Sequence, residues 1–321
     1  MERWRAYVQL MRLYGIFMAM MPLLGALSNG IFDKLFFLLL VGISANIFGF
    51  IQNDYFDIEI DRKSGYVADR PLASGVISKQ EAVMLMALLF IISAVITLAF
   101  FTYLSFIFLL IYYLFYTLYN KFSKKYPWME YALGMAGTMI FLAGATSLKE
   151  SINTATMLMA FLPLPKYAFN VGVSANLKDL KYDSMQGVIT TPGIFGAYAD
   201  DMIHIPISFI RYGYALKLVF STIALAALYF YPLYFSPFLL LASITGMLYT
   251  MTKIFENVNN RSKMLFYAEI HEIFTYAVIA SIPYDYIAIH SSVFLAFSVL
   301  ILPPLWILSV IKIMLGGKPL E

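Results

Sequence analysis

Two short acidic runs have the spacing of a metal and phosphate site. The first reads Asn53-Asp54-Tyr55-Phe56-Asp57-Ile58-Glu59-Ile60-Asp61, and the second Asn176-Leu177-Lys178-Asp179-Leu180-Lys181-Tyr182-Asp183. Asn53, Asp57 and Asp61 stand at i, i+4 and i+8, and Asp179 and Asp183 at i and i+4, so a helix puts each set on one face. Like charges stacked this way repel, at about 0.2–0.5 kcal/mol per pair, and desolvation near a bilayer adds to the cost. Something cationic must compensate. Hard carboxylate oxygens suit Mg²⁺, which keeps several waters and bridges one or two protein carboxylates to substrate phosphates. The rival reading is a pair of solvated helix ends neutralised by Arg62, Lys63, Lys178 and Lys181. It accounts for one such pair more easily than for two in register. Asp57 and Asp179 are 122 residues apart, and so are Asp61 and Asp183. That offset is what a duplicated four-helix unit would leave.

The segment after each run strengthens the phosphate reading. Asp69-Arg70-Pro71-Leu72-Ala73-Ser74-Gly75 sets a guanidinium, suited to phosphate oxygens, in a Pro/Gly turn. Gly187-Val188-Ile189-Thr190-Thr191-Pro192-Gly193 comes after the second run. Each acidic helix therefore leads into a punctuated polar loop that can cap a site and exclude water.

The elements that must position these residues are membrane helices. The chain has 321 residues, 61% hydrophobic, 17% aromatic and only 13% charged, with a mean hydropathy of +0.76. Soluble domains carry roughly a quarter charged residues. Continuous apolar blocks exclude a β-barrel, which needs strands of alternating polarity. Ten spans are expected, at 14–30, 35–52, 81–101, 103–119, 129–147, 155–175, 211–230, 233–252, 264–282 and 291–315. Lys and Arg collect in alternate loops, which by the positive-inside rule makes the N-terminus and both acidic loops cytoplasmic. Arg3, Arg5 and Arg12 lie on that side, as do Lys121, Lys124, Lys125, Lys253, Arg261, Lys312 and Lys318. Only Lys34 and Lys149 fall opposite, each beside an acid. The N-terminal segment reads as a retained cytoplasmic lead-in helix, because its first apolar run lacks a small-residue cleavage site. No linker interrupts 1–321, which reads as one membrane domain. The absence of cysteine excludes disulfides, thiolate metal sites and cysteine nucleophiles. A net charge of +3 without a basic tract excludes a nucleic-acid partner.

On these motifs the chain resembles the UbiA family of intramembrane prenyltransferases. Asn53-x-x-x-Asp57-x-x-x-Asp61 resembles the family's first motif, Asp69-Arg70-Pro71-Leu72 with Ser74-Gly75 its sequel, and Asp179-x-x-x-Asp183 with Gly187 and Pro192 its second. The second motif departs by opening with Asn176, and the spacer between Asp61 and Asp69 is long. The resemblance covers about 1–282. It implies an all-α polytopic bundle of nine core spans, to which 291–315 adds a tenth C-terminal span. It implies transfer of an isoprenoid chain from a prenyl diphosphate donor to a lipophilic acceptor by an integral protein of the cell membrane, in contact with membrane lipid. Asp57, Asp61, Asp179 and Asp183 would hold Mg²⁺, and Asn53 would orient an oxygen or bind the metal. Arg70, Lys121, Tyr116 and Asp54 would line the diphosphate, and Arg12 matches a basic residue leading into the first span.

Several residues stay open at this point. Lys166 falls within the sixth expected span, as an acceptor contact or as a snorkelling side chain. Glu269 and Glu272 are acceptor ligands, a base or solvated interfacial acids; His204 and His271 make no zinc signature. Among acceptors the reading favours an aromatic quinone precursor, with a glyceryl ether phosphate as the alternative. From another class, a cation-coupled transporter also uses paired acids and an internal repeat, but such sites lie near the bilayer midplane.

Overall fold

Apolar side chains recurring without period-two alternation drive nearly all of this chain into helices, and prolines and polar caps decide where the helices break. The computed structural model describes residues 3–13, 15–63, 67–185 and 187–314. In chain order the helices are α1 (Arg3–Met11), α2 (Ile16–Ala19), α3 (Met21–Ser28), α4 (Leu35–Asp61), α5 (Lys79–Phe100), α6 (Tyr103–Phe122), α7 (Glu130–Ala145) and α8 (Thr154–Ala160). Then come α9 (Pro163–Phe169), a π-helix (Asn170–Ala175), α10 (Asn176–Met185) and α11 (Thr191–Ile194). The chain continues with α12 (Ile207–Leu228), α13 (Ser236–Glu256), α14 (Arg261–Ser281), α15 (Tyr284–His290) and α16 (Val293–Met314). Tyr198–Ala199 and Ile203–His204 pair antiparallel between α11 and α12.

Local chemistry explains the starts. Ser78 and Glu81 form a reciprocal capping box on α5, while Thr102, Asn153 and Asn260 accept from backbone N–H groups at the starts of α6, α8 and α14. Pro22 and Pro163 open α3 and α9, where a missing N–H costs nothing. They also explain two departures from expectation. The first expected span is split between α2 and α3, and the sixth is broken into α8, α9 and the π-helix. Tyr14 and Leu315, the outer ends of the first and tenth expected spans, lie outside the described residues, as does Lys318.

All ten expected spans fall on helix, yet fewer are full crossings by length. Among the described residues six helices are long and apolar enough to cross a bilayer, α4, α5, α6, α12, α13 and α16, or up to eight if bent pairs count as one span each. One such pair is α14 with α15, bent by 48°. The helix α7 has only 16 residues. It packs closely between α6 and α3, and Gly25 and Gly144 permit that approach, since a Cβ on either would collide with backbone of the facing helix. The second half packs α13 against α14, with α12 against α8 and α9.

Two features position the acids. Helix α4 has 27 residues where the expected span stopped at Gln52. At 1.5 Å per residue it is about 40 Å long, longer than the roughly 30 Å hydrocarbon layer, so its last turns carry Asn53, Asp57 and Asp61 out of the core. The second acidic run begins where the π-helix ends. A π-turn takes in one extra residue and rotates everything after it, which fixes the faces that α10 presents.

Candidate active site

A polar cavity of about 210 Å³ opens where the acidic ends of α4 and α10 meet. Asn53, Asp57 and Asp61 form one wall, and Lys178, Asp179, Tyr182 and Asp183 form the other. Arg12, Arg70, Lys124, Glu130, Thr190 and Arg261 close it from the N-terminal segment, the loops and the starts of α7 and α14. Two acidic runs 122 residues apart thus face one space.

The carboxylates are held by the protein's own donors. Asn53 Nδ2 donates to Asp57 Oδ2 at 3.2 Å, which helical i,i+4 spacing permits. Arg70 donates to Asp61 at 2.9 Å and to Asp54 at 3.4 Å. Lys124 Nζ donates to Asp183 Oδ1 at 2.9 Å. Arg261 reaches Asp179 at 3.9 Å and donates to the Lys178 carbonyl at 2.6 Å. Burial pushes Asp183 up from its ordinary value against the pull of Lys124. Burial pulls Lys124 down, but Asp183, Asp57 and Asp179 outweigh it and leave the ammonium above its usual value. Lys178 is pulled down by burial, with Arg261, Arg70 and Arg12 adding to the effect. Cations and acids interleave around a space open to solution, which suits a ligand that brings both signs, a polyanion with a divalent metal.

The donor set fits Mg²⁺ in this form. Among the described residues no three Asp, Glu or His side chains converge into a ready-made metal cage. Mg²⁺ does not need one, because it takes one or two protein carboxylates and completes its shell with phosphate and water. Asp183 Oδ2 is buried without a hydrogen-bond partner, an oxygen placed for such a ligand.

Six residues expected at the site line the cavity: Asn53, Asp57, Asp61, Arg70, Asp179 and Asp183. Three expected there do not. Asp54 is 2% exposed and sits behind the wall, paired with Arg12 and Arg70. A carboxylate in that place holds two guanidiniums that do line the cavity. Tyr116 is buried among aromatic rings, edge-on to Tyr112 at 5.4 Å and packed against Gly49. Tyr119, nearly one turn further on, reaches the cavity instead. Lys121 is exposed, its ammonium 5.5 Å from the Phe122 ring, and Lys124 takes the place at Asp183. Once α6 ends at Phe122 the turn swings Lys124 inward and leaves Lys121 outside.

Sequence reasoning gave Lys124, Glu130 and Arg261 no place at the site. The loop tally of basic residues contains Lys124 and Arg261, and only tertiary contact separates them from the rest. Glu130 accepts from Thr191 Oγ1, which ties the loop after α10 to the start of α7. The two capping loops expected from Gly/Pro punctuation do reach the cavity, through Arg70 and Thr190. Lys166 is fully buried and paired with Glu272, so it does not snorkel.

These features define a class: a polytopic α-helical membrane protein whose acidic helix ends and basic loops enclose one polar cavity. The model of the UbiA prenyltransferase family matches residues 13–278, and the chain belongs to that family. No match is found among curated proteins. Solved structures share the fold. A digeranylgeranylglyceryl phosphate synthase superposes with a TM-score of 0.64 at 23% identity, over 88% of this chain and 98% of that one. A UbiA homolog from Archaeoglobus fulgidus bound to GPP and Mg²⁺ gives 0.62 at 19% identity, over 86% of this chain and 99% of that one. The apo UbiA homolog from Aeropyrum pernix K1 gives 0.67 at 16% identity, over 86% and 98%.

Proposed function

We propose that this prenyltransferase is Mg²⁺-dependent and moves an isoprenoid chain from a prenyl diphosphate to a lipophilic acceptor at the cavity between α4 and α10, on the cytoplasmic side of the cell membrane. The observation that carries the site is the convergence of Asn53, Asp57 and Asp61 with Asp179 and Asp183 on one polar space ringed by basic side chains. Asp57, Asp61, Asp179 and Asp183 would hold Mg²⁺, which neutralises charge on the diphosphate when bound. Arg70, Lys124 and Arg261 stabilise the charge that grows on the leaving group as its bond to the prenyl C1 breaks. Asn53 orients Asp57 by its hydrogen bond. Tyr119 and Tyr182 offer electron-rich faces to the allylic cation left behind. The loops bearing Arg70 and Thr190 exclude water that would quench it. The homologue bound to GPP and Mg²⁺ supports this donor chemistry.

Acceptor choice lies between an aromatic quinone precursor and a glyceryl ether phosphate. The quinone precursor gains no support from the structural neighbours, one of which is a digeranylgeranylglyceryl phosphate synthase. The test is Mg²⁺-dependent release of diphosphate from radiolabelled geranylgeranyl diphosphate by the detergent-purified protein, against aromatic and glyceryl acceptors, with lipid extraction of product. Prenylated product that disappears in Asp57→Ala and Asp183→Ala establishes the reading. Near-normal turnover in either variant sinks the site assignment, and failure to bind donor at all sinks the function.

A further inference from the structure

The middle of the bundle holds a second concentration of polar atoms, for which prenyl diphosphate chemistry has no use. Lys217 on α12 and Lys166 on α9 have no exposed surface. Lys166 pairs with Glu272 of α14, whose side chain keeps 27% of its exposure. Lys217 Nζ has no hydrogen-bond partner. It lies 4.3 Å from the centre of the Phe169 ring and 5.4 Å from that of Phe220, and the charged groups facing it are Glu272 and Lys166. Aromatic faces soften a buried ammonium but leave its three N–H donors unsatisfied. His271 packs against the same Phe169 ring at 4.7 Å. Its Nδ1 is engaged by Thr250 and the Met247 carbonyl, and its Nε2 is unpartnered. Asn170 lies four residues beyond Lys166 on one helical face, and neither of its amide atoms has a partner.

Buried polar groups are almost always paired, and Lys217 is left both without a hydrogen-bond partner and without a carboxylate of its own, since Glu272 is already paired with Lys166. A ligand with anionic oxygens corrects both faults. The place also fits. Lys166 lies five residues before Val171, which lines the diphosphate cavity, so at 1.5 Å per residue it is roughly 7 Å deeper in the bundle. A small molecule anchored there would lie beside the inner end of that cavity. Glu272 is the partly exposed member of the cluster.

We propose that Lys217, with Lys166 and Asn170, docks an anionic oxygen group, a carboxylate or a phosphate ester, of the acceptor, so that this enzyme selects acceptors carrying negative charge near their nucleophile. The assignment rests on the prenyl-transfer reading. It is tested with two matched pairs of acceptors: 4-hydroxybenzoate against its methyl ester, and a glyceryl ether phosphate against the corresponding uncharged glyceryl ether. Steady-state KM and kcat are measured for each, together with acceptor-induced thermal stabilisation and, separately, Mg²⁺-dependent donor binding. Wild-type protein is expected to prefer the charged member of one pair at least 30-fold, and that pair names the anion. Lys217→Met should raise the KM of the charged acceptor at least 30-fold and abolish its thermal shift. Its donor affinity should stay within twofold of wild type. Asn170→Leu, a milder change, should shift the same KM five- to tenfold. Equal use of charged and uncharged acceptors by wild type, or an unchanged acceptor KM in Lys217→Met, overturns the docking site. If donor binding and diphosphate release persist in that case, prenyl transfer stands; if wild type binds no donor, the functional reading falls instead.

Discussion

Replacing Lys124 by methionine should make the protein bind Mg²⁺ more tightly while making it a worse enzyme. Lys124 Nζ lies 2.9 Å from Asp183 Oδ1, with the two side chains 29% and 6% exposed. Unit charges about 4 Å apart attract by about 4 kcal/mol at an effective dielectric of about 20, before desolvation is subtracted. A charged hydrogen bond contributes about 1.5–3 kcal/mol net, and the partial exposure of Lys124 brings this to about 1–2 kcal/mol. If Asp183 is a metal ligand, the ammonium competes with the metal for the same carboxylate. Removing it should lower the half-saturating Mg²⁺ concentration by about 5- to 30-fold. Asp57 and Asp179 also face Lys124, and their loss of a cation works in the same direction. The assay is Mg²⁺ titration of the detergent-purified protein without donor, read by thermal stabilisation or calorimetry. With donor present the effect should reverse, because the diphosphate has lost one of its own cations, and turnover should fall. A Mg²⁺ midpoint that is unchanged or raised without donor refutes the idea that Lys124 and the metal share Asp183.

Further substitutions at three positions separate the site from its surroundings. Lys121→Ala should leave Mg²⁺-dependent donor binding within twofold of wild type, since Lys121 points away from the cavity, whereas Arg70→Ala should weaken it at least tenfold; equal effects in a donor-binding assay would return Lys121 to the site. Asp285 Oδ2 accepts from the backbone N–H groups of Tyr234, Phe235 and Ser236 at 2.7, 2.8 and 2.9 Å and is 3% exposed. Asp285→Ala leaves three backbone donors without their acceptor, that of Ser236 buried and those of Tyr234 and Phe235 partly so, and should cost about 1–3 kcal/mol, read as a drop in melting temperature with donor binding intact at low temperature, while Asp285→Asn should lose less than half as much.

The acidic helix ends are legible in the sequence because their spacing is local. Carboxylates four apart share a helical face whatever packs around them, and Arg70, nine residues beyond Asp61, shares a wall with it. The basic partners are not legible in the same way. Lys121 and Lys124 are equivalent in composition and in loop position, and only the turn after α6 decides which one meets Asp183. Asp54 is misplaced by sequence reasoning for a related reason. Its neighbours in the chain suggest the cavity, while its ion pairs with Arg12 and Arg70 hold it behind the wall. Lys217 gives no signal, because a single lysine within an apolar run says nothing about which way it faces.

That this is a polytopic helical membrane protein, and that two acidic helix ends are its chemically distinctive residues, can be read from the residue order alone. Both follow from short-range physics, from hydrophobic length against bilayer thickness and from the 3.6-residue repeat of the helix. Prolines visible in the residue order mark where two of the spans break, whereas the π-turn that sets the face of the second acidic run is a matter of tertiary packing. So are the choice of cations and aromatic rings that meet the acids and the burial of two lysines in one cluster. Those outcomes depend on contacts between residues tens to hundreds of positions apart, whose pairing no local period records.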